Sequence, residues 1–283
     1  MRYLLFNPLS GKNNQSRDNA EAYSVVEHLP TKLIDLTKIR KLSDFFEILE
    51  PYDDVIIFGG DGTLNEIAND LYGYPIKNDI YYLPCGTGND FARDIGKYGS
   101  LDPFLINDYI KKLPTVTVNG KSSKFINGVG FGIDGYCCEV GDKLKSEKKQ
   151  PNYTTIAIKG LLFHFKPVNA TVTVDGKEMS FKKVWIAPTM CGRYYGGGMM
   201  PTPEQRRNGK DNKVSLMLFY GSSKLKTLMI FPSIFKGKHV KHKKNISIFE
   251  GKSISVKFDR PCALQIDGET VRNVQEYSVS VPS

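Results

Sequence analysis

Apolar residues in the first 118 positions fall in short runs of strand length: Arg2 to Phe6, Lys32 to Leu36, Asp54 to Phe58 and Ile80 to Leu83. Between them the spacing turns helical, over Ala20 to His28 and Leu42 to Leu49, and then at Leu64, Ile67, Ala68 and Leu71, which stand at i, i+3, i+4 and i+7. Strands alternating with helices predict a doubly wound α/β domain. From about Thr115 the period becomes two, as in Thr115-Val116-Thr117-Val118 and Ala170-Thr171-Val172-Thr173-Val174, the latter followed by the hairpin turn Asp175-Gly176. Further strands are expected at Ser180 to Ile186, Lys213 to Phe219, Asn245 to Phe249, Ser253 to Phe258, Ala263 to Ile266 and Tyr277 to Val281. This pattern predicts a mostly antiparallel β-sandwich. Helical insertions interrupt it near Tyr136 to Leu144, Tyr153 to Phe165 and Ser223 to Phe235. The expected domains are residues 1–118 and 119–283, with the last strand free to pack back on the first domain.

Each strand of the first domain runs into a polar or glycine-rich loop: Asn7-Pro8-Leu9-Ser10-Gly11-Lys12, Gly59-Gly60-Asp61-Gly62-Thr63 and Pro84-Cys85-Gly86-Thr87-Gly88-Asn89. In parallel sheets, ligands bind at the loops that follow strand carboxyl ends. Glycines between a strand and a helix let the backbone approach a ligand, and the helix start offers free N–H groups, so the second loop reads as an anion cradle. The competing reading is a tight turn that needs glycine for its own geometry. Asp61 favours the cradle, because a carboxylate beside a phosphate requires a divalent cation between them, which implies Mg2+ together with a nucleotide. The spacing of a Walker-type loop is absent.

The run Gly59-Gly60-Asp61-Gly62-Thr63-Leu64-Asn65-Glu66, preceded by Asn7 to Lys12 and followed by Pro84-Cys85-Gly86-Thr87-Gly88-Asn89-Asp90-Phe91-Ala92-Arg93, resembles the catalytic domain of the diacylglycerol kinase family. Gly128-Val129-Gly130-Phe131-Gly132-Ile133-Asp134, Gly196-Gly197-Gly198-Met199 and Asp267-Gly268-Glu269 continue the resemblance in the family order through nearly the whole chain. It implies an ATP-dependent phosphotransferase that moves the γ-phosphoryl to a lipid hydroxyl, most simply diacylglycerol to phosphatidic acid, in a cleft between the two domains. Carried over by position, Asn7, Ser10, Gly11, Lys12, Thr37, Gly59, Gly60, Asp61, Gly62, Thr63, Leu64, Asn65 and Thr87 are implied to contact the nucleotide. Asp61, Asp90 and Asp134 are implied to form an acidic network around Mg2+ and water. Asp90 and Asp134 also read as a helix cap and a turn residue, and Arg93 as a partner for one of the carboxylates.

Asp267-Gly268-Glu269 follows an apolar strand and by itself reads as a hairpin turn. The resemblance assigns Glu269 as the general base; Asp267, two residues earlier, would point to the opposite face of an extended strand unless the turn brings it back to meet a cation or water. It also aligns Asn208 to Val214 with a structural Mg2+ loop, the implied ligands being Asp211 and the carbonyls of Asn208 and Lys213. Asn212 and Lys213 depart from the glycine and apolar residue usual there, and a solvated polar loop is the alternative.

Charge adds a division of labour. The net charge is +9, with 39 Lys plus Arg against 30 Asp plus Glu. Residues 1–118 hold 12 against 17, and residues 119–283 hold the rest, a surplus of 14 positive charges. The second domain therefore faces anions. Its basic residues gather at Lys143, Lys145, Lys148 and Lys149, and at Lys236, Lys238, Lys241, Lys243 and Lys244 after the apolar stretch Leu225 to Phe235. That pairing suggests an interfacial anchor on anionic phospholipid, against a core helix ending in a solvated basic turn. Ile156 to Phe165 would fill the core or line an acyl-chain groove. Nucleic acid is not an expected partner, since the cluster lacks interleaved stacking aromatics. A homodimer through sandwich edges is allowed.

No apolar run is long enough to span a bilayer, the N-terminus carries no signal-like leader, and the five cysteines form no Cys-x-x-Cys pair. The expected setting is cytoplasmic, peripherally associated with the inner face of the membrane. The alternatives are a kinase of another acceptor (sphingoid base, phosphatidylglycerol, undecaprenol or NAD) and a non-catalytic nucleotide- and membrane-binding module.

Overall fold

The computed structural model describes residues 1–11 and 14–282 and divides into two compact units, Met1–Leu113 and Pro114–Ser283. In the first unit the chain runs through β1 (Arg2–Phe6), α1 (Gln15–Val26), β2 (Thr31–Asp35), α2 (Leu42–Glu47), β3 (Asp54–Gly59), α3 (Asp61–Asp70), β4 (Ile80–Pro84), α4 (Asp90–Asp94), β5 (Phe104–Leu105) and α5 (Asn107–Ile110). The sheet order is β2-β1-β3-β4-β5, the first four strands parallel and β5 antiparallel at the edge. The register pairs Phe6 with Phe58 and Gly59 with Pro84, so the three predicted loops leave the sheet at one edge. Leu4, Ile56 and Phe58 are fully or almost fully buried, which explains why these central strands read as continuous apolar runs.

Helix α1 begins five residues before the periodic apolar positions do. Its first turn is polar but bolted to the sheet: the buried Ser16 hydroxyl accepts from Asn7 N at 3.1 Å and donates to the Phe58 carbonyl at 2.5 Å. Hydrogen bonding to two strands substitutes here for an apolar face.

The second unit contains β6 (Thr115–Val118), β7 (Lys121–Lys124), β8 (Gly128–Gly132), α6 (Ile133–Ser146), α7 (Tyr153–Lys159), β9 (Val168–Val174), β10 (Lys177–Met190), β11 (Val214–Tyr220), α8 (Lys224–Ile230), β12 (Ile246–Gly251), β13 (Ser253–Ile266) and β14 (Glu269–Ser280). A wide π turn over Gly160–His164 continues α7, and 3-10 turns over Phe231–Lys236 and Lys238–Lys241 continue α8. Every strand pair is antiparallel. Strands β10 and β13 are long enough to change partners along their length. Their first halves flank β9 and their second halves flank β8, which closes a ring around Phe131, Val172, Val256 and Leu264.

One expectation about strands is corrected, and one strand is added. Ser253 to Phe258 and Ala263 to Ile266 are one strand, continuous through the exposed Pro261, where a register shift between Lys257 and Cys262 accommodates the missing N–H. Gly128 to Gly132 is also a strand, fully buried despite three glycines in five residues. A Cβ on Gly128 would lie 2.5 Å from Met190 Sδ and one on Gly130 only 1.5 Å from Asp134 Oδ2, so β8 must be bare for its neighbours to close on it.

Candidate active site

In the first unit, three loops pack against one another through their backbones. A Cβ on Gly86 would come within 2.6 Å of Gly60 Cα, and one on Gly60 within 3.1 Å of Ser10 Oγ. These glycines are required by loop-to-loop contact, whereas Gly62 faces open space. Asn7 ties the first loop to the second, its Nδ2 donating to the buried Thr63 Oγ1 at 2.9 Å while its Oδ1 accepts from Leu9 N. The Asp61 carboxylate accepts from Asp90 N at 2.9 Å and Phe91 N at 3.0 Å, and so caps α4 from another element. Asn89 folds back on Gly86 through two hydrogen bonds. Asp90 is buried, with Arg93 Nε 3.9 Å from its Oδ1, and the Arg93 guanidinium stacks 3.8 Å over the Tyr98 ring. Thr37 and Thr87 are exposed, and the Thr37 hydroxyl donates to Asp35. Lys12 lies outside the described residues. Cys85 is buried against Asn19, and desolvation raises its thiol pKa.

In the second unit, the Asp-Gly-Glu sequence forms the tight turn between β13 and β14, with Asp267 and Gly268 both at positive φ. Asp267 is held from below by three successive backbone amides: Ile126 N at 2.5 Å, and Asn127 N and Gly128 N at 2.8 Å each. Gly268 N donates to Gln265 Oε1 at 2.7 Å, and Gln265 Nε2 reaches Asp134 Oδ2 at 3.1 Å. Asp134, on the first turn of α6, is buried between Gly130 and Gln265, and this burial pushes its carboxyl up to about 7, against the hydrogen bond from Gln265 and the neighbouring Tyr195 hydroxyl. Glu269 is exposed at the first position of β14. Beside it, Thr270 Oγ1 donates to Asp142 at 2.6 Å and Arg272 pairs with Glu139 at 3.4 Å, fixing the start of β14 to α6.

Residues 2–115 match the family described as the diacylglycerol kinase catalytic domain, and residues 127–283 match the YegS C-terminal NAD kinase beta sandwich-like domain. The chain belongs to the diacylglycerol and lipid kinase catalytic-domain family. It is 27% identical over 251 residues to a diacylglycerol kinase of Mycobacterium tuberculosis, covering 83% of this chain and 78% of that one. It is 25% identical over 281 residues to a diacylglycerol kinase of Bacillus subtilis, covering 94% and 88%. A crystal structure of a diacylglycerol kinase from Bacillus anthracis has the same fold, with a TM-score of 0.59 at 17% identity over 99% of this chain and 93% of that one. A second structure from that organism has a TM-score of 0.68 at 18% identity, covering 100% and 94%. The protein therefore carries a phosphotransferase catalytic domain on a nucleotide-binding fold.

Two residues around Asp134 in this candidate site carry no motif that flags them in the sequence. Gln265 is a buried polar residue in an otherwise apolar strand, and Tyr195 precedes the Gly196-Gly197-Gly198 loop; both converge on Asp134. A glutamine inside an apolar strand is the available signal, because a buried polar group must find a partner, as Gln265 does in Asp134 and Gly268.

Donor chemistry differs between the two implied metal positions. At the α4 start, Asp61 keeps a lone pair on each oxygen beyond its amide bonds and is joined through that helix end to Asp90. One or two carboxylates plus substrate phosphates is the set that Mg2+ commonly takes, so these residues fit it. At the loop Asn208 to Lys213, the Lys213 carbonyl accepts from Gln205 Nε2 at 2.8 Å, and the Asp211 carboxylate lies 3.9 Å from the Lys213 ammonium. Asn212 turns through φ 44 and bonds the Pro282 carbonyl. The Lys213 ammonium therefore stands near the carboxylate of this loop and would compete there with any cation. Among the described residues no cluster of three or more His, Cys, Asp or Glu side chains could hold a metal, and no helix is long and apolar enough to cross a membrane.

Proposed function

We propose that this chain is an ATP-dependent lipid kinase that transfers the γ-phosphoryl of ATP to the free hydroxyl of diacylglycerol, giving phosphatidic acid. The observation that carries this reading is the Asp-Gly-Glu turn. A turn that merely reversed the chain would not need its first residue held by three amides and its second by Gln265, yet here both are fixed and Glu269 is presented to solvent.

In this reading the acceptor oxygen attacks the γ-phosphorus, the bond to the β-phosphate oxygen breaks, and ADP leaves with the electron pair. Glu269 accepts the hydroxyl proton as the new bond forms. A free glutamate, with a pKa of about 4.3, cannot deprotonate an alcohol in advance, and a loose phosphoryl-transfer transition state does not ask it to. Asp267 acts through the turn it holds, and Asp134 through Gln265. On the first unit, Asn7, Ser10, Gly11, Thr37, Gly59 to Asn65 and Thr87 surround the nucleotide, with Lys12 neutralising phosphate charge. The open side of Gly62 at the start of α3 supports an anion there, since the helix N-terminus offers unsatisfied N–H groups. Mg2+ bound with the nucleotide supplies charge neutralisation at the transferring phosphoryl, and Asp61 and Asp90 are the residues that would hold it.

The names of the relatives support diacylglycerol as acceptor, and a cavity of about 270 Å3 between α6 and α7, with Tyr136, Val140, Leu144 and Ile156 among its lining and Asn152, Thr155, Lys159 and His164 as its polar part, has room for part of an acyl chain. A lipid acceptor places the enzyme at the inner face of the membrane as a peripheral protein. The test is transfer from radiolabelled ATP to diacylglycerol, a sphingoid base, phosphatidylglycerol, undecaprenol and NAD in parallel. Diacylglycerol is expected to be labelled fastest; labelling of NAD with every lipid silent would overturn the reading.

A further inference from the structure

The outer faces of α7 and α8 form a surface that the phosphoryl-transfer chemistry does not use. Among the described residues of the second unit, eight large apolar side chains are exposed, and all eight lie between Tyr153 and Phe163 or between Leu225 and Val240. Phe163 is 72% exposed, Leu225 69% and Met229 68%. The inner faces of the same segments are core, where Ile156, Leu161, Phe165, Ile230, Phe231 and Ile234 share one buried cluster. Lys224 Nζ donates to the Leu162 carbonyl at 3.0 Å, which joins the two segments into one face. Ser223 caps α8 and His239 is buried against the Pro201 carbonyl, so the exposed residues stand on formed, anchored structure. Each segment thus has one buried and one bare side, which serves the core with one face and leaves the other available.

The charge around this face has a single sign. Residues 153–166 and 221–244 contain nine lysines and not one Asp or Glu. None of the nine pairs with a carboxylate among the described residues, whereas Lys145 and Lys149 on the other basic stretch pair with Asp142 and Glu147. An unneutralised cationic rim opposes burial against a second copy of itself, because like charges would be brought together. It complements a partner that is anionic at its surface and apolar beneath.

We propose that the α7–α8 face docks on a bilayer containing anionic lipid, with Phe163, Leu225 and Met229 entering among the acyl chains and Lys224, Lys226, Lys236 and Lys238 at the level of the phosphates. The purpose of this docking rests on the lipid-kinase reading; its measurement does not, since it needs neither ATP nor acceptor. Co-sedimentation with phosphatidylcholine vesicles, with and without phosphatidylglycerol, is the test. Wild type is expected to bind the mixed vesicles and not phosphatidylcholine alone. Phe163→Ser, Leu225→Ser and Met229→Ser combined should weaken that binding at least tenfold. Lys224→Gln, Lys236→Gln and Lys238→Gln combined should weaken it by about fivefold per lysine. All six side chains are exposed, and an unchanged thermal unfolding midpoint checks that each variant folds. Undiminished binding by both folded variants overturns the proposal. So does retained vesicle binding by the apolar variant together with loss of a wild-type dimer, which assigns the face to a second copy. Loss of vesicle binding in the variants supports the docking face even where no lipid is phosphorylated; that second result would sink the acceptor assignment instead.

Discussion

The acidic first unit and the basic second unit both use an aspartate as a backbone clamp, but the clamps leave different things behind. Asp61 gathers two amides at the start of α4, within loops packed so closely that Gly60 and Gly86 have no room for side chains. What such loops offer a ligand is backbone. Asp267 gathers three amides beneath a two-residue turn, which leaves one carboxylate, Glu269, in solvent and another, Asp134, buried behind Gln265. What that turn offers is a side chain. The net charge of each unit says little about this contrast, because amide dipoles fixed by a fold attract anions whatever the formal charge around them.

The strongest challenge to the contrast is Glu269→Gln. With Glu269 as the proton acceptor, kcat for lipid phosphorylation is expected to fall by roughly two to four orders of magnitude, while ATP affinity stays within about twofold. Asp61→Asn should do the reverse in kind, weakening ATP binding as well as turnover. A Glu269→Gln enzyme that keeps most of its activity would show that the exposed side chain has no chemical task.

Asp267→Ala tests the clamps themselves. It removes a charged acceptor from three amides and should cost about 3 kcal/mol in denaturant unfolding, whereas Asp61→Ala, which frees two amides at a short helix end, should cost about half that. Equal costs would mean that the two clamps are equivalent and that the tighter turn is not specially held.

A pH series sharpens the role of burial. Asp134 is pushed up from 3.8 to about 7 by desolvation, so the folded protein binds its proton more tightly than the unfolded chain does. The stability from that proton is fully present below about pH 4 and is lost as pH rises towards 7. Between pH 5 and 7 the wild type should lose about 2 kcal/mol that Asp134→Asn does not lose. Parallel stability curves for the two proteins would show that Asp134 titrates as an ordinary surface aspartate.

How far such features can be read from sequence depends on whether their cause is local. Strands β1, β3 and β4 are buried on both faces, so their apolar runs announce them, and the glycine loops between strand and helix are equally plain. The start of helix α4 at Asp90 is legible, but the residue that caps it, Asp61, is not, because it lies 29 residues away. Strand β8 escapes because its glycines answer to Met190 and Asp134, which only the closed ring brings near. Of the candidate site residues, Glu269 and Asp61 are visible through family motifs, while Gln265 is not, since its bonds to Gly268 and Asp134 exist only once β13 and α6 have packed. The four lysines near the end of α6 show the same limit. They resemble the Lys236 to Lys244 run in sequence, yet Lys145 and Lys149 are neutralised within their own turn.

The smallest effect is expected at the loop Asn208 to Lys213, where a side-chain ammonium stands near the carboxylate that the family resemblance gives to a metal. Asp211 is 80% exposed and its oxygen lies 3.9 Å from Lys213 Nζ, so solvent screens the pair and Lys213→Met should change unfolding stability by less than about 1 kcal/mol. The informative reading is the response of the unfolding temperature to Mg2+ without nucleotide. Wild type is expected to show none, because the carboxylate already faces a cation. If the variant gains a Mg2+ response that wild type lacks, the ammonium occupies the place a divalent ion would take. An equal response in both proteins would mean that the ion displaces these contacts, and that the loop binds metal despite its lysine.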